Sequence, residues 1–133
     1  MYYYIGSGFN NIENVRRLRD LLTAQGHTHT YDWTRNARAD SVDVLRDIGE
    51  KERDAIKTSD FVVILLPAGK GSHVELGIAI GSGVPVFLHD TTDSMTNVET
   101  TSTFYHVSHV VQLTDDLEDV PHQIDSYFSS ASF

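Results

Sequence analysis

The chain has 133 residues, of which 40% are hydrophobic and 22% are charged, and it contains no cysteine. A chain of this length buries a core as one domain, and the lack of cysteine excludes disulfide scaffolds, thiol catalysis and cysteine-based metal sites. The formal net charge of −9 disfavours nucleic acids and anionic membranes as partners, because Lys and Arg supply most of that affinity. We therefore expect one domain over residues 1–133.

The first half of the chain alternates between extended and helical patterns. Apolar residues from Ile12 to Leu22 recur every three or four positions, which is typical of an amphipathic helix, and Gly26 stops the pattern. The predicted elements are a strand at Tyr2–Ile5 that ends in the turn Gly6-Ser7-Gly8, the helix from Ile12, an extended segment at His29–Trp33 and a helix at Ser41–Lys57.

The second half continues the alternation. Phe61–Leu66 is a continuous apolar run, as a strand buried on both faces requires, but it is too short to span a bilayer. No targeting segment is visible, so we expect a cytoplasmic protein. The remaining predicted elements are a turn at 67–71, a helix at Ser72–Ile80, a strand at Val84–Leu88, a loop at Asp90–Thr103, a strand at His106–Leu113 and a helix at Asp115–Phe128.

Strands that alternate with helices predict an α/β fold: a single doubly wound, five-stranded parallel sheet with helices on both faces, flavodoxin-like or Rossmann-like. The loops after the strands then meet at one edge of the sheet, where ligands bind. The Gly6-Ser7-Gly8 turn is a weak dinucleotide signal, because Asn11 stands where the third glycine is due. We expect no nicotinamide or other cofactor.

Glu75 lies in the densest cluster of this edge, Gly69 to Gly77, and it has two interpretations. Ser72 followed by Glu75 fits a capping box, which is the favoured interpretation on spacing alone. The alternative is that the positive end of the helix keeps the Glu75 carboxylate ionised as a nucleophile for a sugar carbon.

Several segments resemble the nucleoside 2-deoxyribosyltransferases and the related deoxynucleoside 5'-monophosphate N-glycosidases. They are Tyr4-Ile5-Gly6-Ser7-Gly8-Phe9, Ile56 to Val63, Gly71-Ser72-His73-Val74-Glu75-Leu76-Gly77 and Gly83-Val84-Pro85-Val86. The resemblance implies that Glu75 is the nucleophile that attacks C1' of the deoxyribose and forms a covalent glycosyl-enzyme. It also implies that Tyr4 orients the nucleophile, with a buried core tyrosine as the alternative.

Two positions depart from the family pattern. Glu52 stands where the family has an Asp that positions sugar and base and assists proton transfer, and Asp54 is the alternative for this role. Gly69 stands where transferases have Asp and monophosphate glycosidases have Ser, so that contact is absent or supplied by Lys70 or Ser72. The resemblance therefore leaves open whether the substrate carries a 5'-phosphate.

Other residues are candidates for substrate binding. Trp33, the only tryptophan, is placed to stack on a nucleobase, with a core or lid position as the alternative. Arg35 and Arg38 are placed to reach a 5'-phosphate or simply to face solvent. Asn97 resembles an asparagine donated to the neighbouring subunit's site. The expected substrate-binding residues are Gly6, Ser7, Phe9, Trp33, Asp54, Gly69, Lys70, Gly71, Ser72, His73 and Asn97.

Histidine pairs such as His27 with His29, and His106 with His109, lack a third ligand at metal spacing, so we expect no metal. The resemblance implies a transferase that exchanges nucleobases. The alternatives are a hydrolase and a non-catalytic nucleotide-binding module. The implied partners are a nucleoside or nucleotide, a free nucleobase and further copies of the chain. The apolar residues expected to serve contacts between copies are Val98, Phe104, Tyr105, Tyr127 and Phe133.

Overall fold

A computed structural model describes residues 1–131. Five strands form one sheet, in the order β2-β1-β3-β4-β5, and every neighbouring pair is parallel. The strands are β1 (Tyr2–Ser7), β2 (Thr28–His29), β3 (Phe61–Leu65), β4 (Val86–His89) and β5 (Val110–Leu113), and the helices are α1 (Ile12–Ala24), α2 (Val42–Lys57), α3 (Lys70–Gly81) and α4 (Val120–Ala131). The predicted doubly wound parallel α/β fold is confirmed.

The core follows from the apolar patterns. All five residues of β3 are buried, because the central strand is covered on both faces. The helix α1 contacts α4, and α2 contacts α3, so the helices form two layers. Within residues 1–131, no helix is long and apolar enough to cross a membrane.

Strand β1 lies between β2 and β3 in the sheet. The chain continues from β1 into α1 and from β3 into α3. This is the switch point of the sheet, where the first turns of helices on opposite faces separate and leave a crevice. The carboxyl end of β1 is therefore the place where a ligand site is expected.

Several predicted boundaries are wrong. The second extended segment forms a strand only at Thr28–His29, because Asp32 accepts a hydrogen bond from the Thr34 N–H at 3.1 Å and caps a 3-10 turn at Trp33–Arg35. The last strand begins at Val110 rather than His106, after a residue in the left-handed region, His109 at φ 69°. The last helix begins at Val120, after a 3-10 turn at Leu117–Asp119.

Candidate active site

A cleft of about 680 Å³ opens between α2 and α3 at the carboxyl end of β1, and its lining is mostly apolar. The charged residues among those that line it are Arg38, Glu52, Arg53 and Glu75. A large, mostly apolar cavity with a few convergent polar groups is the usual form of a small-molecule site.

Tyr4 joins the two carboxyl groups of this cleft, although Tyr4 is buried and does not itself line it. Its hydroxyl is hydrogen-bonded to Glu52 Oε2 at 2.6 Å and also to Glu75 Oε2. Tyr4 comes from β1 and is fully buried, Glu52 comes from the middle of α2, and Glu75 comes from α3. Three separate elements thus bring one phenol and two carboxyl groups together.

This cluster holds an extra proton. The Tyr4 hydroxyl has one hydrogen, so it donates to one carboxylate, and the other carboxyl must itself be protonated to donate to the phenol oxygen. Burial, together with a hydrogen bond to Glu52, raises the pKa of Glu75 to about 9. Burial and the charges of both carboxylates also raise the pKa of Tyr4. At neutral pH the Glu75 carboxyl of the free protein therefore holds a proton, which it shares with Glu52 through the Tyr4 hydroxyl.

Two sequence expectations about Glu75 are wrong. Helix α3 begins at Lys70 with Gly69 as its N-cap, so Ser72 lies inside the helix and forms no capping box. Glu75 contacts Tyr4 instead of folding back on the N-cap. The positive end of the helix also does not keep Glu75 ionised, because Glu75 lies in the second turn of α3 and burial raises its pKa.

Gly6 allows the Glu75 carboxylate to approach β1. A Cβ atom at Gly6 would lie 2.8 Å from Glu75 Oε1 and 2.8 Å from Ile64 Cδ1. Both distances are shorter than a normal contact, so any side chain at this position would displace the carboxylate.

Several expected substrate-binding residues do line the cleft. Trp33 is buried and donates its Nε1–H to the Ile5 carbonyl at 2.7 Å, and its ring meets Phe9 edge to face at 5.7 Å. The lining residues that had been expected are Ser7, Phe9, Trp33, Gly69, Gly71, Ser72, Glu52 and Glu75.

Other expected binding residues lie elsewhere. Asp54 is exposed and pairs with Arg53, so it does not share the position of Glu52. Lys70 and Asn97 are exposed and do not line the cleft. His73 faces away from Glu75: its ring contacts the Gly69 carbonyl at 2.8 Å and the Tyr105 hydroxyl at 2.7 Å.

Sequence reasoning missed the face of α2 that lines the cleft. Leu45, Ile48, Gly49, Arg53 and Ile56 flank Glu52 at helical spacing. Residues three or four positions from Glu52 lie on the same face of the helix, so the placement of Glu52 in the site would have identified them. Asn36 and Ala37, in the loop that precedes α2, gave no such signal.

Within residues 1–131, no group of three or more His, Cys, Asp or Glu residues is arranged to hold a metal ion. The cleft presents two carboxyl groups, and the buried Tyr4 phenol contacts both. Its polar centre is therefore equipped for acid, base and nucleophilic chemistry by side chains.

Two of the solved structures that resemble this fold are enzymes. A 2-deoxyribosyltransferase from Bacillus psychrosaccharolyticus is 18% identical, with a TM-score of 0.68, and the match covers 91% of this chain and 90% of that chain. A CMP N-glycosidase, BcmB, from Clostridium botulinum is 15% identical, with a TM-score of 0.61, and the match covers 94% of this chain and 99% of that chain. None of the curated proteins matches the chain significantly.

The parallel sheet with two carboxyl groups in the cleft at its switch point defines an α/β protein with a small-molecule site. The family model of the nucleoside 2-deoxyribosyltransferases matches residues 4–117, which is most of the chain. The chain belongs to this family. It is accordingly an enzyme of the class of N-glycosyl transferases and N-glycosidases.

Proposed function

We propose that this enzyme exchanges the nucleobase of 2'-deoxynucleosides by double displacement, with Glu75 as the nucleophile. The observation that carries the proposal is the contact of one buried phenol, Tyr4, with two carboxyl groups, Glu52 and Glu75, in a large cleft. Nucleophilic attack on a sugar carbon and protonation of a leaving base require two carboxyl groups with different protonation states.

In the first step the Glu75 carboxylate attacks C1' and the bond from C1' to the base nitrogen breaks. Before attack the proton of Glu75 passes to Glu52 through the Tyr4 hydroxyl, and Glu52 then donates it to the departing base. The products are a free base and a deoxyribosyl ester of Glu75. Tyr4 donates its hydrogen bond to Glu75 before attack, which fixes the orientation of the carboxylate.

In the second step another nucleobase attacks C1' and the ester bond to Glu75 breaks. Glu52 accepts the proton that the incoming base loses, so the cluster returns to its initial state with one shared proton. If water attacks instead, the same ester yields free deoxyribose, and the enzyme acts as a hydrolase.

Two lining residues, Trp33 and Phe9, are candidates for binding the nucleobase, because their aromatic rings offer a stacking surface for a base. Ser7 lines the same cleft, and its hydroxyl donates to the Leu65 carbonyl at 2.7 Å. The small residues Gly69 and Gly71 leave open the side of the cleft at the start of α3.

A chromatographic assay tests the proposal. Wild type, Glu75→Gln and the control Glu50→Gln are incubated with a deoxynucleoside, and separately with its 5'-monophosphate, each with and without a different free base. Glu50 is an exposed residue of α2 outside the cleft. We expect a new nucleoside with wild type and Glu50→Gln, and a loss of about 10⁴-fold or more with Glu75→Gln.

The outcomes separate the alternatives. Release of base and sugar without exchange, even with excess second base, would replace the transferase by the hydrolase. Turnover that persists in Glu75→Gln, or binding without turnover in wild type, would contradict the proposed nucleophile.

A further inference from the structure

The loop between β2 and α2 places an unpaired arginine in the cleft. Arg38 lines the cleft and forms no ion pair with any residue within 1–131. Each of the other arginines pairs with a carboxylate; they are Arg16, Arg17, Arg19, Arg35, Arg46 and Arg53. Arg38 is exposed, and in a chain with 19 acidic residues its side chain lines the cleft without a carboxylate partner, so it is available to a ligand.

Asn36, from the same loop, also lines the cleft. Its Oδ1 accepts a hydrogen bond from the Tyr31 hydroxyl at 3.0 Å, so the amide N–H groups remain as the free part of the side chain. A guanidinium has only donors. Arg38 and Asn36 thus present a donor surface, which favours a ligand edge that consists of acceptors.

The position of this donor surface indicates which part of the substrate it meets, and this step rests on the proposed function. With C1' at Glu75, the base and the 5' end of the sugar point in different directions. Trp33 and Phe9 supply the stacking surface for the base, and Trp33 is only three residues before Asn36. Because Phe9, Trp33, Asn36 and Arg38 line one cleft, a base stacked on that surface can direct its edge toward Asn36 and Arg38.

We propose that Arg38 selects 6-oxopurine bases, so that the preferred substrates are the 2'-deoxynucleosides of guanine or hypoxanthine. A guanidinium binds the O6 and N7 acceptors of a 6-oxopurine with two parallel hydrogen bonds. Adenine presents an amino group at C6, so a donor faces a donor and one of the two bonds is lost. Arg38 acts here as a specificity residue.

Binding of free bases tests this selection without any turnover. Hypoxanthine and adenine differ at C6 by an oxygen against an amino group, and the fluorescence of Trp33, the only tryptophan, reports occupancy of the cleft. We expect wild type to bind hypoxanthine about tenfold tighter than adenine. In Arg38→Met the two affinities should agree within about twofold, through weaker binding of hypoxanthine.

Two variants serve as controls. Arg46→Met removes an exposed arginine that pairs with Asp43 outside the cleft, and it should keep the wild-type preference. Arg38→Lys keeps the charge but not the planar fork of donors, so it should lose most of the preference. Full preference in Arg38→Lys would show that charge alone is sufficient and would overturn the bidentate contact.

Equal affinity of wild type for both bases, no binding of either base, or an unchanged preference in Arg38→Met would overturn the proposal. Weaker binding of deoxynucleoside 5'-monophosphates in Arg38→Met, whatever their base, would assign Arg38 to the phosphate instead. These outcomes are independent of the Glu75 turnover assay, so failure of the proposed reaction and failure of the base selection are distinguishable.

Discussion

Gly6 is the residue that permits the Glu75 carboxylate to reach Tyr4. In Gly6→Ala the new methyl group would lie 2.8 Å from both Glu75 Oε1 and Ile64 Cδ1. We expect a stability loss of about 1–3 kcal/mol from overpacking, and a loss of turnover that exceeds what the stability change explains. Urea unfolding and the base-exchange assay measure the two effects.

Gly77→Ala is the matched control for this glycine. Gly77 lies in α3 close to Glu75 and does not line the cleft, and a methyl group at this position would point into open space. Replacement by Ala within a helix should stabilise the protein by about 1 kcal/mol and leave turnover unchanged. Full activity of Gly6→Ala would show that the carboxylate position is not critical.

The shared proton of Glu52 and Glu75 predicts the alkaline side of the pH profile. The pKa of Glu75, raised to about 9 by burial and by Glu52, is the upper value of the pair. Above about pH 9 the pair loses its proton, so no acid remains for the leaving base. We expect kcat/KM to fall above that pH.

In Glu52→Gln no carboxyl pair shares a proton, so the alkaline fall should disappear, and the rate should be lower by about 10²–10⁴-fold. Glu50→Gln should retain both the rate and the fall. A wild-type kcat/KM that keeps rising through pH 9 would show that the shared proton is not used for the base.

At the scale of elements, the start of α3 depends on a contact with the loop before β5. His73 joins the Gly69 carbonyl to the Tyr105 hydroxyl, and its ring stacks on Tyr105 at 5.8 Å. We expect Tyr105→Phe to lose about 0.5–1.5 kcal/mol of stability. Because the start of α3 lines the cleft, KM should rise more than kcat falls.

Tyr2→Phe is the control for that change, since Tyr2 is exposed and its hydroxyl forms no hydrogen bond within the described residues. It should leave the unfolding free energy and both kinetic parameters unchanged. A fall in kcat with constant KM in Tyr105→Phe would contradict a positioning role of this contact.

The elements that the sequence predicts well are those whose pattern is local. The continuous apolar run of β3 and the amphipathic repeat of α2 are independent of the rest of the chain. Strand β2 has only two residues, and it exists because the carbonyl oxygens of Met1 and Tyr3 accept hydrogen bonds from Thr28 and Thr30. No local pattern encodes such tertiary pairing.

The same distinction applies to the site. Glu75 could be identified from its motif, but its environment depends on how closely α3 packs on α2. Spacing alone favoured a capping box with Ser72, whereas the packed helices direct Glu75 to Tyr4 and Glu52. The burial that raises the pKa of Glu75 is likewise a property of the packed helices.

At the scale of the whole molecule, exposed apolar residues surround the mouth of the cleft. Phe9 is 74% exposed, Leu45 58% and Val74 63%. We propose that a second copy of the chain covers this surface and that Asn97 enters the partner's cleft. Light scattering should then give a mass of at least two chains of 14.9 kDa.

Of the other apolar residues expected at contacts, Tyr105 is buried within its own chain and Phe133 lies outside the described residues.

Mixing two inactive variants tests whether sites are shared. A dimer of one Glu75→Gln chain and one Asn97→Ala chain has one site with both defects and one site with neither. If subunits exchange freely, the mixture should recover about one quarter of the wild-type activity. No recovery, or a fully active monomer, would contradict a shared site.

His29 links the stability of the whole domain to acid pH. Its ring stacks on Tyr3 with centroids 4.7 Å apart, and both ring nitrogens are buried without a hydrogen-bond partner. Burial lowers the pKa of His29 to about 4, although the charge of Asp32 acts in the opposite direction. Arg19 and Arg35 are the neighbouring positive charges, and they further disfavour a protonated ring.

Because the pKa of His29 is lower in the folded than in the unfolded protein, the unfolded state binds the proton first as the pH falls. Stability is then complete above about pH 6.5 and is lost as the pH falls toward 4. Urea unfolding at about pH 7 and about pH 4.5 should show that wild type loses about 2 kcal/mol more than His29→Phe, which retains the aromatic stack on Tyr3. The exposed His122, replaced in the same way, should leave the wild-type loss unchanged, and an equal loss in His29→Phe would show that the buried ring is not the source of acid sensitivity.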